Sequence, residues 1–134
     1  MRDTYTKGPW VVEFTPEDGG RLDRIAYDSY DLITTEPRPF RKPSEEYGEY
    51  ENRPVYGYDD CFPSVEACPF PGIDWVIPDH GEICWLDWKA SKTENSLTFQ
   101  TESKALPVRF TREMVFGDSR IGWNFDVYNF GNLR

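Results

Sequence analysis

The chain has one histidine, three cysteines and no apolar run approaching the ~20 residues of a membrane-spanning helix. Each shortage excludes something. A lone histidine is thin for a jelly-roll metalloenzyme, which musters several ligands, so no metal is expected. Cys61, Cys68 and Cys84 lack the paired C-x2-C form of a structural zinc site. Reduced thiols in a cytosolic protein are the expectation, with a Cys61–Cys68 bridge left open. The opening MRDTYTKGPW has no apolar h-region, so no secretory signal is expected and the expected location is the cytoplasm. Basic clusters are missing too, and the net charge of -9 argues against a nucleic-acid partner. No cofactor is expected, and no membrane partner.

Leu, Ile, Val and Met are not abundant, whereas aromatic residues make up 16% of the chain. Such apolar material suits strands and flat binding surfaces. Carboxylates beside exposed aromatics suit neutral polyhydroxyl ligands, which need acceptors for hydroxyls and planar faces for C–H surfaces. With 134 residues, the chain is at most one domain.

Two-residue alternation dominates and predicts an all-β fold. Trp10, Val12 and Phe14 share one face of WVVEF, and PEDGG is a turn. RLDRIAYDSYDLITT reads as two short strands joined near Asp28-Ser29-Tyr30. Residues 95–129 read as a three-stranded antiparallel meander with one wet and one dry face. Leu97, Phe99 and Thr101 line the first strand, and Val108, Phe110, Met114 and Phe116 the second. Ile121, Trp123, Phe125 and Val127 line the last. Between about 36 and 58 no period survives, and Pro37, Pro39, Pro43 and Pro54 predict a long irregular loop.

Arg112 falls on the dry face beside Phe110 and Met114. An unpaired buried charge is costly. The arginine therefore snorkels, sits at a bulge, or holds an acidic loop near Asp59, Asp60 or Glu66.

His80 lies in IPDHGEICWLDW. Its imidazole can donate or accept a proton near neutrality, because its unperturbed pKa is ~6.5. If residues 80–82 are extended, His80 and Glu82 face one side, while Asp79 bonds local backbone amides. Four readings stay open: a structural histidine at a loop junction; a metal site with Glu82; a nucleophile pair with Cys61 or Cys84; and sugar recognition or acid/base catalysis beside Trp85 or Trp88.

An ordered series of segments bears on this choice. Gly19-Gly20-Arg21-Leu22 runs through DLITT; then come DCFPSVEACPFPG, IPDHGEICWLDW, LTFQTESKALPVRFTREMVF and IGWNFDVYNFGN. In that order they resemble the first half of aldose 1-epimerase (galactose mutarotase-like) proteins, nearest to an epimerase-like branch of that family. The resemblance implies an antiparallel β-sandwich that is part of a larger supersandwich, and a chain, 1–134, forming one incomplete domain of that kind. It also implies an aldose ligand and isomerase chemistry, in which a carboxylate takes the anomeric hydroxyl proton while a histidine protonates the ring oxygen.

On this resemblance His80 is the catalytic histidine of the His-Gly dipeptide. His80, Glu82, Asp60, Trp85 and Arg112 are then the expected sugar-binding residues. Where the family carries an Asn-Arg pair that contacts sugar, this chain reads Glu66-Ala67-Cys68. The family's second histidine and general-base glutamate lie beyond the matched segments. A truncated or split product is therefore expected, with strand edges left to pair with another chain. A non-catalytic carbohydrate-binding module is the alternative.

Overall fold

The computed structural model describes residues 1–36, 50 and 53–132. Most of the expected irregular loop at about 36–58 lies outside the described residues. The regular secondary structure is almost entirely strand: β1 (Asp3–Lys7), β2 (Trp10–Thr15), β3 (Arg21–Tyr27), β4 (Tyr30–Asp31), β5 (Cys68–Pro69), β6 (Val76–Ile77), β7 (Lys89–Lys92), β8 (Ser96–Glu102), β9 (Val108–Phe116) and β10 (Ile121–Asn129). A 3-10 turn, Ile83–Trp85, precedes β7.

Two antiparallel four-stranded meanders, β1-β2-β3-β4 and β10-β9-β8-β7, form a sandwich, and β5 pairs with β6 as a separate hairpin. Alternation explains the layers in β2, β8 and β9, and in β3 a register shift opposite Glu13 and Phe14 brings Leu22 and Ile25, three residues apart, to the same face. Val12 and Phe14 of β2 and Leu22 and Ile25 of β3 meet Leu97 and Phe99 of β8 and Phe110, Met114 and Phe116 of β9 in one core. Aromatic rings make the closest seams, with Phe14 edge-on to Phe99 at 5.1 Å and Tyr5 against Phe116 at 4.8 Å. Such pairs add to the area they bury, because ring edges are positive and ring faces negative.

The β3–β4 hairpin turns at Asp28 and Ser29, whose φ angles of 46° and 69° are the left-handed values a tight hairpin turn requires. Two strands carry no sequence signal. β7 reads Lys-Ala-Ser-Lys and is exposed throughout, while β1 buries only Tyr5.

The expected dry face ends early. Phe125 and Val127 stand opposite Arg112 and Phe110 and so lie on the core side of the sheet, yet they are 52% and 49% exposed. The first sheet covers β8 and β9 but not the far half of β10.

One corner collects the motifs. Gly19 and Gly20 have φ of 65° and 63°, and a Cβ on them would fall 2.1 Å from the Cys84 carbonyl and 2.8 Å from the Trp88 ring. Only glycine lets the β2–β3 turn press that closely on residues 84–88. Gly81 plays the same part against Phe62, whose carbonyl oxygen would lie 2.2 Å from an added Cβ. Phe62 and Gly81 form an isolated parallel bridge, and the Glu82 N–H donates to the Phe62 carbonyl at 2.8 Å. The segments GGRL, DCFP and DHGE, distant in sequence, are therefore neighbours.

Candidate functional site

At that corner Asp59 and Asp60 are adjacent in sequence and serve separate arginines. Asp60 is buried. It accepts from Arg112 Nη1 at 2.6 Å and from the Tyr58 hydroxyl at 2.6 Å. Arg112, 0% exposed, also donates from Nη2 to the Gly20 carbonyl at 2.6 Å and lies over the Phe99 ring at 4.3 Å. Burial pulls the Arg112 guanidinium below its usual range, against the opposing pull of Asp60. Burial and the Asp60 contact push the Tyr58 phenol well up. Of the readings open for Arg112, the one in which it ties down an acidic loop holds, and the carboxylate is Asp60.

Asp59 serves the other pair. Arg21 binds Asp18 through Nε at 2.9 Å and Asp59 through Nη2 at 3.4 Å. Arg53 binds Asp18 through Nη1 at 3.1 Å and Asp59 through Nη2 at 3.3 Å. Two arginines and two aspartates close into a neutral ring of ion pairs. Burial lowers the Arg21 guanidinium, but Asp18 and Asp59 outweigh it and the net direction is up. Arg53 also lies over the Trp85 ring at 4.9 Å.

The histidine sits on this ring. Tyr50 donates its hydroxyl to Asp59 at 3.3 Å, and the His80 imidazole stacks on the Tyr50 ring at 3.6 Å with only 6° between planes. Trp85 meets the same tyrosine edge-on at 6.5 Å. Burial, then Asp59, pushes the Tyr50 phenol up, so it stays protonated and holds this hydrogen bond. His80 has φ of 62°, a left-handed value uncommon outside glycine, and its N–H donates to the Val65 carbonyl at 2.7 Å. Its side chain remains 32% exposed. The covered nitrogen is Nδ1. It lies 3.1 Å from Asp79 Oδ1, within ion-pair distance but outside hydrogen-bond geometry.

Several expectations change here. Residues 80–82 form a turn rather than a strand, so His80 and Glu82 do not face one side. Glu82 is 1% exposed and committed inward: Oε2 accepts from the Ser103 hydroxyl and Oε1 from the Lys104 N–H at 2.9 Å. Its work is to anchor the β8–β9 connection. Asp79 turns toward His80 rather than toward backbone amides. Of the two candidate tryptophans, Trp85 belongs to the site, whereas Trp88 is buried and donates its indole N–H to the Ile83 carbonyl at 2.8 Å. Asp60, Glu82 and Arg112, expected among sugar contacts, are buried: Asp60 and Arg112 neutralise each other, and Glu82 is held by neutral hydroxyl and N–H donors.

The chemistry of the alternatives also narrows. Cys61, Cys68 and Cys84 are free thiols, so the Cys61–Cys68 bridge is absent. Burial pushes the Cys84 thiol up to about 12. Desolvation, then Asp59, Asp60 and Asp79, raises Cys61. Neither sulfur is poised as a thiolate nucleophile. Among the described residues, no three His, Cys, Asp or Glu side chains converge to hold a metal ion. None of the described helices is long and apolar enough to cross a membrane. A cavity of about 270 Å³ opens elsewhere, between Asp87, Lys89, Gln100, Glu102 and Lys104, and shares no lining residue with the His80 site.

Sequence reasoning missed Arg21, Arg53, Asp18 and Tyr50. Tyr50 and Arg53 come from the stretch without periodicity, where no pattern marks one residue above its neighbours. Arg21 lies within the GGRL segment, where nothing in the spacing sets it apart. No protein-family model, no curated protein and no solved structure matches the chain.

Proposed function

We propose that this chain recognises an aldose at the His80 face and belongs to an aldose 1-epimerase-like protein. The observation that carries the reading is the mounting of His80. A left-handed backbone holds its ring half-exposed and flat on Tyr50, over a neutral Arg21–Asp18–Arg53–Asp59 ring and beside Trp85. Backbone strain at a polar, half-exposed side chain is characteristic of functional positions. A histidine fixed in this way offers a titratable N–H to a ring oxygen, and the neighbouring aromatics offer faces to sugar C–H groups.

In the chemistry that the resemblance implies, His80 gives a proton to the ring oxygen as the anomeric C–O bond breaks, while a carboxylate accepts the anomeric hydroxyl proton. The carboxylate beside His80 is Asp79, on the histidine's own side, and Glu82 is committed to the β8–β9 connection. That arrangement favours a second reading, in which the site binds sugar without interconverting its anomers.

Polarimetry of freshly dissolved glucose and galactose separates the two. Mutarotation faster than buffer and lost in His80→Ala supports proton transfer. Sugar-dependent quenching of Trp85 fluorescence, without rate enhancement and absent in Trp85→Phe, supports binding alone. A chain that shows neither signal refutes both readings.

A further inference from the structure

The sheet edges are unequal. β4 offers two residues. β1 is tied down by Lys92, whose Nζ donates to the Thr4 carbonyl at 2.8 Å and pairs with Asp3 at 2.7 Å. β7 is four residues long, with lysine at each end. Short edges and edge lysines are the usual guards against strand pairing. β10 has none of them. It is nine residues long, runs in unbroken register with β9, contains no proline or lysine, and its one charged residue is Asp126. Beside this edge, Phe125 and Val127 expose apolar surface on the side that faces the core elsewhere in the sheet.

We infer that β10 is the self-association surface of this chain, and that two copies pair antiparallel about Phe125 into a continuous eight-stranded sheet. The sequence of β10 selects this register. Antiparallel self-pairing centred on a residue keeps each face of the sheet intact, whereas centring between residues would set core-side residues against outer ones. Centred on Phe125, the pairing puts Phe125 beside its twin and Trp123 beside the other copy's Val127. Asn124 then lies opposite Asp126, so the only charge on the strand meets an amide. Centred on Asp126, the pairing would oppose two carboxylates, which is destabilising. The net charge of -9 on each copy opposes association, so the dimer tightens as salt screens that repulsion.

Sedimentation velocity of the full chain, run from about 1 to 200 µM and at two salt concentrations, tests this over the affinity range of modest interfaces. The expected result is a concentration-dependent shift from a 15.7 kDa species toward its dimer. Phe125→Lys returns the chain to monomer. Asn124 is exposed and leaves the core untouched, so it gives a test that does not depend on tolerance of the first variant. Asn124→Lys faces Asp126 twice across the two-fold axis and tightens the dimer about three- to tenfold; Asn124→Asp loosens it by a similar factor. A chain that stays monomeric throughout overturns the inference, as does a dimer indifferent to all three variants. A monomer whose β10 amides become protected from exchange only when a different polypeptide is added assigns the edge to that polypeptide and equally overturns self-pairing.

Discussion

Asp59 and Asp60 are adjacent in sequence but belong to two kinds of charged cluster. Asp60, Arg112 and Tyr58 form a closed network in the core. Asp59, with Arg21, Arg53 and Asp18, forms a ring that carries Tyr50 and, through it, a half-exposed His80. The first cluster neutralises its charge entirely within the fold. The second does so as well and then presents a titratable side chain to solvent. Ion pairs alone therefore do not mark a site. What distinguishes the two corners is whether the network ends on a group that a ligand can reach.

The largest test of this contrast is to remove one partner from the closed network. Arg112→Ala leaves the Asp60 carboxylate buried and uncompensated, and should cost about 3–5 kcal/mol in urea unfolding. Arg112→Met combined with Asp60→Asn should cost less than the sum of the single changes, since neither charge then remains behind. A loss below about 1 kcal/mol for Arg112→Ala would show that water reaches this network and that the contrast is false.

The same distinction sets how much was legible beforehand. The strands β2, β8 and β9 were plain because their alternation matches one buried and one wet face. β7 was invisible because neither of its faces is buried. Arg112 advertised itself by interrupting an apolar face, and an acidic loop was the right kind of partner. His80 and Trp85 could be placed near one another from the motif. The hinge in the backbone at His80 and Gly81 could not, and it is this hinge that turns Glu82 inward. Tyr50 joins the site through contacts that sequence spacing does not encode.

Alkaline pH should loosen the floor beneath the His80 turn. Cys84 is buried there, with its thiol directed to the His80 and Gly81 carbonyls at 3.8 and 3.9 Å. Burial raises this thiol from 9.0 to about 12. The group is raised and its neutral form is the folded one. Its contribution is therefore complete below pH 9 and declines as pH rises through that value toward about 12. The loss is at most about 1.4 kcal/mol per pH unit for one such group. Urea midpoints at pH 8, 9, 10 and 11 should fall at the upper end, and Cys84→Ala should flatten the first part of that fall. Tyr50 and Tyr58, both pushed up by burial, extend the decline to higher pH in the same direction. A profile that Cys84→Ala leaves unchanged would place the first alkaline loss elsewhere.

The smallest stability effect is expected where the functional effect is greatest. His80→Gly relieves a left-handed residue that costs an L-amino acid roughly 1–2 kcal/mol. The same change forfeits the stack on Tyr50, worth about 0.5–1.5 kcal/mol. The two nearly cancel, so the urea midpoint should move by less than about 1 kcal/mol in either direction. His80→Asn, which tolerates the same backbone, should behave alike in stability. On the proposed reading of the site, both should lose any sugar response. If His80→Gly instead unfolds the chain as Arg112→Ala does, the histidine is a structural member of the ring beneath it. Unchanged stability with a lost response is the outcome that separates a presented group from a buried brace.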